Sequence, residues 1–223
     1  METPVGVVTY APVGDRLLAG LPAATARPVH LVVVAADDAP VPGAQVVPVG
    51  EHLARAAAVN RGVVALPADV EWVLVADPRL DRLDGVIDTL LAGAAQYPRA
   101  GALGPRLRGR DGAARPSAGD LPTRRDLRRR RIPVGAPRTT GPVGWVAADC
   151  LLLRRAAWES VDGFDARHLG PLDAVDLGRR LRRTGWLSVH VPGTEVVVGP
   201  GPATGMLETV ERGLRRYAQD RRE

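Results

Sequence analysis

Short apolar runs separated by helix-patterned segments constrain this chain most. Residues 5–10, 31–35, 45–49, 72–76 and 100–107 read as strands, and most are continuous apolar runs rather than alternating ones. A strand that is apolar on both sides has to be covered on both faces, the condition inside a parallel sheet. Helical patterns fill the intervals at 15–26, 53–66 and 83–97. In the last of these, Leu83, Val86, Ile87, Leu90, Leu91 and Ala94 form one apolar stripe. Repeated strand–helix–strand order implies right-handed crossovers and an α/β domain, a mostly parallel sheet with helices on both faces.

At 223 residues, one domain is expected over 1–205, followed by a charged helix over 206–223. Aromatic residues make up only 4% of the chain, so the core must be built from Val, Leu and Ala. All 30 basic residues are arginine, and their charge cannot be titrated away near neutral pH. The net charge of +5 favours an anionic partner. Cys150 is the single cysteine, which excludes an intrachain disulfide framework and a cysteine-based zinc site. It reads as a small buried hydrophobe in a reducing compartment. No apolar run approaches membrane-spanning length, and the first residues lack a signal-peptide pattern. The expectation is a cytoplasmic protein with, at most, peripheral contact at the inner face of a membrane.

Between 116 and 142 periodicity is lost, and Pro, Gly, Thr and Arg dominate. This stretch reads as a long mobile loop, of the kind that often binds or covers a ligand. It carries Arg124, Arg125, Arg128, Arg129, Arg130 and Arg131. Such a run suits an anionic surface. Without interleaved aromatics or a nucleic-acid motif, specific DNA or RNA recognition is not expected.

Several residues carry candidate chemistry. Ligands of open α/β sheets sit beyond the carboxyl ends of the strands. Asp77 follows the 72–76 strand there, in Asp77-Pro78-Arg79. A guanidinium at Arg79 suits diphosphate oxygens; equally, Asp77-Pro78 is ordinary turn chemistry. Asp37 and Asp38 follow the second strand and read as solvated loop acids. Asn60, the only asparagine, has an amide that could reach a ribose, or it could simply be a helix polar residue before Gly62. Asp173 and Asp176 share one face at the start of a helix opened by Gly170-Pro171. There they complement the positive helix end, with Asp176 expected to pair Arg179 or Arg180. His30, His52, His168 and His190 show no metal-ligand spacing.

The stretch 144–158 reads Gly-Trp-Val-Ala-Ala-Asp-Cys-Leu-Leu-Leu-Arg-Arg-Ala-Ala-Trp. Gly163-Phe164-Asp165 and Asp173-Ala174-Val175-Asp176-Leu177 follow. Together these resemble the acceptor half of family 2 glycosyltransferases, particularly the bacterial rhamnosyltransferase-like branch, and the resemblance covers about residues 5–198. It implies a GT-A (nucleotide-diphospho-sugar transferase, Rossmann-like) fold. It also implies inverting transfer of a sugar, such as rhamnose from dTDP-rhamnose, to a cell-envelope acceptor. In that family the helix opens Glu-Asp-Val-Asp-Leu and its first Asp is the base; here Ala174 holds that place, leaving Asp173 as the stand-in. The family's Asp-X-Asp metal signature corresponds to Asp77-Pro78-Arg79, with arginine in place of the second carboxylate. The implied nucleotide-sugar contacts are Thr9, Asn60, Asp77 and Arg79. The implied acceptor or membrane contacts are Trp145, Arg128, Arg129 and Arg130. Because of Arg79, and because no histidine lies in 196–201, bound Mn or Mg is disfavoured. The rival expectation is a catalytically inactive relative that binds a nucleotide sugar or a partner protein.

Overall fold

The structure is a computed structural model, described for residues 2–168, 170–200 and 206–220. The first half follows the expected alternation: β1 (Val5–Tyr10), α1 (Asp15–Ala24), β2 (Val29–Ala35), β3 (Ala44–Pro48), α2 (Arg55–Ala65), β4 (Trp72–Ala76), β5 (Leu80–Asp81), α3 (Val86–Gln96) and β6 (Ala100–Gly109). The second half is more broken. It comprises β7 (Ala114–Arg115), β8 (Ala118–Gly119), α4 (Arg124–Arg128), β9 (Gly141–Val143), β10 (Trp145–Val146), β11 (Cys150–Arg154), α5 (Arg155–Glu159), α6 (Leu172–Arg183), β12 (Leu187–Val198) and α7 (Met206–Asp220).

One large sheet organises the molecule, in the order β3-β2-β1-β4-β11-β6-β12-β5. β1 runs parallel to β2 and to β4, β2 parallel to β3, and β6 parallel to β12. β11 enters the middle of this sheet antiparallel to both β4 and β6. The valine-rich strands are buried on both faces, as their unbroken apolar pattern requires: β4 is buried at all five positions. Helix α2 lies against β1 and β2, with Ala56, Val59 and Val63 buried, and α3 against β6 and β12, with Ile87 and Leu90 buried. The low aromatic content is met as expected, with a core of Val, Leu and Ala and the buried thiol of Cys150.

One expectation changes. The stretch 116–142 is not without regular structure. It contains β8 and α4 and runs into β9, and a capping box starts α4: Thr123 Oγ1 accepts from Asp126 N while Thr123 N donates to Asp126 Oδ2. β12 runs on to Val198, through a register shift between Val191 and Glu195. The expected C-terminal helix is α7; residues 221–223 of that expectation lie outside the described residues.

Candidate functional site

The antiparallel entry of β11 shapes the site. Cys150 pairs with Ala76, so the residue before β11 stands beside the residue after β4. Asp77 N donates to the Asp149 carbonyl at 2.8 Å. Tyr10, at the end of the neighbouring β1, donates its hydroxyl to Asp77 Oδ2 at 3.1 Å. The carboxyl ends of β1 and β4 and the start of β11 therefore meet at one place, where ligands of α/β sheets bind.

Arg79 folds back onto Asp77. Its Nε donates to Oδ1 and its Nη2 to Oδ2, both at 2.8 Å, and its backbone N–H adds a bond to Oδ1 at 2.9 Å. The same Nη2 lies 3.4 Å from Asp149 Oδ1. Burial alone would raise the Asp77 carboxyl, but the bonds from Arg79 outweigh it and hold the group below its ordinary range. Tyr10 is pushed the other way, above the usual phenol range, first by burial and then by Asp77.

A second pair adjoins the first. Arg55, at the start of α2, donates Nε to Asp173 Oδ2 and Nη2 to Asp173 Oδ1, both at 2.9 Å, and Nη2 also reaches the Gly170 carbonyl at 3.0 Å. Arg55 Nη1 lies 3.7 Å from Asp149 Oδ2. Asp173 is 2% exposed, and burial raises its carboxyl against the opposing pull of Arg55. Burial disfavours the Arg55 charge, yet Asp173 and Asp149 hold it firmly protonated. The result is a continuous chain, Asp77–Arg79–Asp149–Arg55–Asp173, of three carboxylates and two guanidinium groups.

The sequence reading named three of these five. Asp149 lay inside a quoted motif without a role, and Arg55 was the only charge at the start of an alanine-rich helix. Neither is marked by local pattern, because both partners come from distant segments. Asp173, the expected stand-in base, has both oxygens occupied by Arg55. Ala174 beside it is 3% exposed.

The other expected contacts lie elsewhere. Thr9 is fully buried within β1, and its hydroxyl has no hydrogen-bond partner among the described residues. Asn60 clamps the turn after α5: Nδ2 donates to the Phe164 carbonyl at 2.7 Å, and Oδ1 accepts from Phe164 N at 2.9 Å and from Trp158 Nε1 at 3.2 Å. Both ends of its amide are thus taken by the fold. Trp145 is 2% exposed and donates its indole N–H to the Pro133 carbonyl, anchoring the arginine-rich segment from beneath instead of presenting an outer surface. Arg128, Arg129 and Arg130 are exposed, in and just after α4. Asp37 and Asp38 are exposed loop acids, as expected. Next to Tyr10, a hollow of about 10 Å³ is lined by Ala11, Val34, Ala36, Glu51 and His52, room for one water.

Histidine requires a correction. His168 is fully buried, with Nε2 at 3.1 Å from Asp220 Oδ2, 3.7 Å from Asp176 Oδ1 and 3.8 Å from Asp165 Oδ2. Ligand atoms of Asp165, His168 and Asp220 all lie within 4.8 Å of one another, a spacing able to hold a metal ion. Arginines already answer these carboxylates: Arg167 binds Asp165, and Arg179 and Arg180 bind Asp176 at 2.8 and 2.6 Å. The expected pairing of Asp176 is therefore present twice over. With Tyr217 edge-on to His168, the cluster ties α7 to α6.

No family model matches the chain. It is 38% identical, over 237 aligned residues, to N-acetylglucosaminyl-diphospho-decaprenol L-rhamnosyltransferase of Mycobacterium tuberculosis, from each of two strains. The alignment covers 91% of this chain and 77% of that protein. Among solved structures, GalNAc-T7 with UDP, GalNAc and Mn2+ superimposes with a TM-score of 0.66 at 12% identity, covering 96% of this chain and 47% of that one. The mannosyltransferase PcManGT from Pyrobaculum calidifontis, in complex with GDP-Man and Mn2+, does so with a TM-score of 0.60 at 16% identity, covering 99% and 64%. This chain thus spans about half of the first structure and under two thirds of the second.

Both of those structures hold manganese, so the fit of this site to a divalent ion can be tested on its residues. A hard cation needs several oxygen ligands. Asp77 is the sole carboxylate of its turn, and its two oxygens already accept four hydrogen bonds, from the Arg79 side chain and backbone and from Tyr10. The Arg79 guanidinium stands between Asp77 and the other carboxylate at this place, Asp149, and a cation here would have to compete with it. The fold, the sheet-end site and the extent of the sequence match agree: the chain belongs to the family 2 glycosyltransferases of GT-A fold, in their rhamnosyltransferase-like branch.

Proposed function

We propose that this chain binds a nucleotide-diphosphate sugar of the dTDP-rhamnose kind and a diphospho-polyprenol-linked acceptor, without a metal, and that its sugar transfer is weak or lost. The Asp77–Arg79 pair carries this reading. It sets a permanent cation where a diphosphate would leave, and it removes the carboxylates a metal would need. Inverting transfer also requires a base to take the proton of the acceptor hydroxyl as it attacks the anomeric carbon. Ala174 supplies none, and Asp173 has no oxygen to offer while Arg55 holds both. Loss of a positioned base costs about a hundredfold to ten-thousandfold in rate.

The exposed arginines of α4 support peripheral contact with an anionic membrane, where a polyprenol-linked acceptor would reside. No helix among the described residues is long and apolar enough to cross a membrane. The deciding experiment is a titration with dTDP, dTDP-rhamnose and a panel of other nucleotide sugars, with and without manganese, alongside a transfer assay. Binding should change little with manganese. A tenfold gain with the ion, removed by Asp77→Ala, would overturn metal independence. Turnover of about ten per second, an ordinary enzyme rate, would overturn the loss of catalysis.

A second reading, a partner-binding protein without nucleotide affinity, is favoured by one observation. The network has three carboxylates against two guanidinium groups, an excess negative charge that repels a diphosphate. The absence of binding by any nucleotide in the same titration would select it.

A further inference from the structure

Beside the ion-pair chain lies a basic cleft that the network does not fill. It is open, about 450 Å³ in volume, and runs between the β1–α1 connection, the turn from β4 into β5 and the end of β12. Gly14, Asp15, Arg16, Arg79, Arg110 and Gly199 are on its walls. Backbone brings these segments together. Gly14 N donates to the Pro78 carbonyl at 3.1 Å, and Gly199 N to the Arg79 carbonyl at 2.9 Å. A Cβ on Gly14 would stand 2.6 Å from that Pro78 oxygen, and one on Gly199 would crowd Arg79 O and Arg110 Cζ at 3.2 and 3.3 Å. The cleft keeps its shape because both positions are glycine.

Its charge is unevenly matched. Arg16 Nη1 lies 2.8 Å from Asp81 Oδ2, and Arg110 Nε lies 3.7 Å from the same oxygen. Two guanidinium groups thus share one carboxylate, and their side chains are 65% and 42% exposed. Among the described residues, Asp15 is the only carboxylate on the wall itself. The third guanidinium, Arg79, is shared with the network. Gly14 also caps α1, a ten-residue helix, without offering a side-chain acceptor to its first N–H groups.

We propose that this cleft is a metal-free diphosphate cradle in which Arg16, Arg79 and Arg110 neutralise a diphosphate ester. Guanidinium forks match pairs of phosphate oxygens, and the start of α1 adds its positive end. The proposal rests on the reading above for what the diphosphate is attached to. A nucleoside diphosphate and a polyprenyl diphosphate present the same group, so the test has an arm for each.

Calorimetric titrations in excess EDTA would use inorganic pyrophosphate, dTDP, dTDP-rhamnose and farnesyl diphosphate, on wild type and on the double variant Arg16→Gln/Arg110→Gln. Both arginines are exposed, so the variant should keep the wild-type melting temperature. Pyrophosphate should bind wild type, and the double variant should weaken it about tenfold or more, since hydrogen bonds to charged groups are the strong ones. Arg110→Lys should recover part of the loss, because charge without the fork remains. Tighter binding of dTDP than of farnesyl diphosphate identifies the nucleotide as the source, and the reverse order the lipid. Equal pyrophosphate affinity in wild type and folded double variant, or none in wild type, overturns the cradle. If dTDP-rhamnose binds both proteins equally, the cradle falls while the nucleotide-sugar reading stands. If pyrophosphate depends on the two arginines but dTDP-rhamnose binds no better than pyrophosphate, the cradle stands and the nucleotide-sugar reading falls.

Discussion

The arginines of the ion-pair chain and those of α4 differ in what neutralises them. Arg55 and Arg79 are gripped by Asp77, Asp149 and Asp173, all supplied by the fold. Arg124, Arg125, Arg128 and Arg129 are exposed, and no carboxylate among the described residues pairs with them; Asp126 is taken by Arg131 and by the cap of α4. One group finds its counter-ions inside the molecule and the other has to find them outside. The same side chain therefore acts as an internal tie in one region and as an adhesive surface in the other.

Removing one side of an internal tie should have the largest effect. Arg55→Ala leaves the buried Asp173 without its bidentate partner, and breaking a buried pair costs about 3–5 kcal/mol. Urea denaturation should show that loss, and the double variant Arg55→Met/Asp173→Leu should recover most of it. A single variant within about 0.5 kcal/mol of wild type, the range of ordinary surface substitutions, would mean the network is not internal in the sense claimed.

The external charges are tested with membranes. Arginine near an anionic surface is worth about 1 kcal/mol, so replacing Arg124, Arg125, Arg128 and Arg129 by serine removes up to about 4 kcal/mol. Wild type should sediment with vesicles rich in anionic lipid at low salt and detach as salt is raised. The quadruple variant should stay in solution with its melting temperature unchanged, because these side chains lie outside the core. Undiminished sedimentation would move the contact to another face, Arg215 on α7 being the next to replace.

A third test converts the internal tie back into chemistry. Arg79→Asp together with Ala174→Asp supplies both missing carboxylates. Sugar transfer or donor hydrolysis should rise about a hundredfold and become manganese-dependent. No rise in a folded double variant that still binds donor would show that catalysis is blocked elsewhere.

The smallest effect is in the pH dependence of stability. Asp77 has a depressed carboxyl, so its contribution is present above the ordinary value of about pH 4 and lost as pH falls through the folded value. Asp173 is raised, so its contribution has the opposite sign: present below the ordinary value and lost as pH rises through the folded one. In thermal melts across the acid range, Asp77→Asn should flatten the acid side of the profile relative to wild type. An unchanged acid side would locate the sensitivity in other carboxylates, such as Asp126, depressed first by Thr123 and then by Arg131, and Asp165, depressed by Arg167.

Much of the fold was legible because it is written in local pattern. The unbroken valine runs of β1, β2 and β4 and the stripe of α3 announce their own burial. The turn chemistry of α4 was missed because five residues are too few to show a helical period, although Thr123 and Asp126 already held the capping spacing. The site was half legible. Asp77, Arg79 and Asp173 sit in motifs, but their partnership with Arg55 and Asp149 spans up to 118 positions and exists only once the sheet has formed. Asn60 and Trp145 were expected as ligand contacts from the family resemblance, and the fold uses both to hold its own turns.

The reversed direction of β11 has an evolutionary consequence. Because Cys150 is locked opposite Ala76, positions 77, 79 and 149 form one electrostatic unit drawn from two stretches of chain. An ancestor exchanging a carboxylate for Arg79 would have gained the pair with Asp77 but left the guanidinium without its second carboxylate, unless an acid arose at 149 as well. Descent should therefore have changed these positions in concert. Relatives carrying an acidic residue at 79 should have an uncharged one at 149, a covariation that aligned sequences can display or refute without any protein being purified.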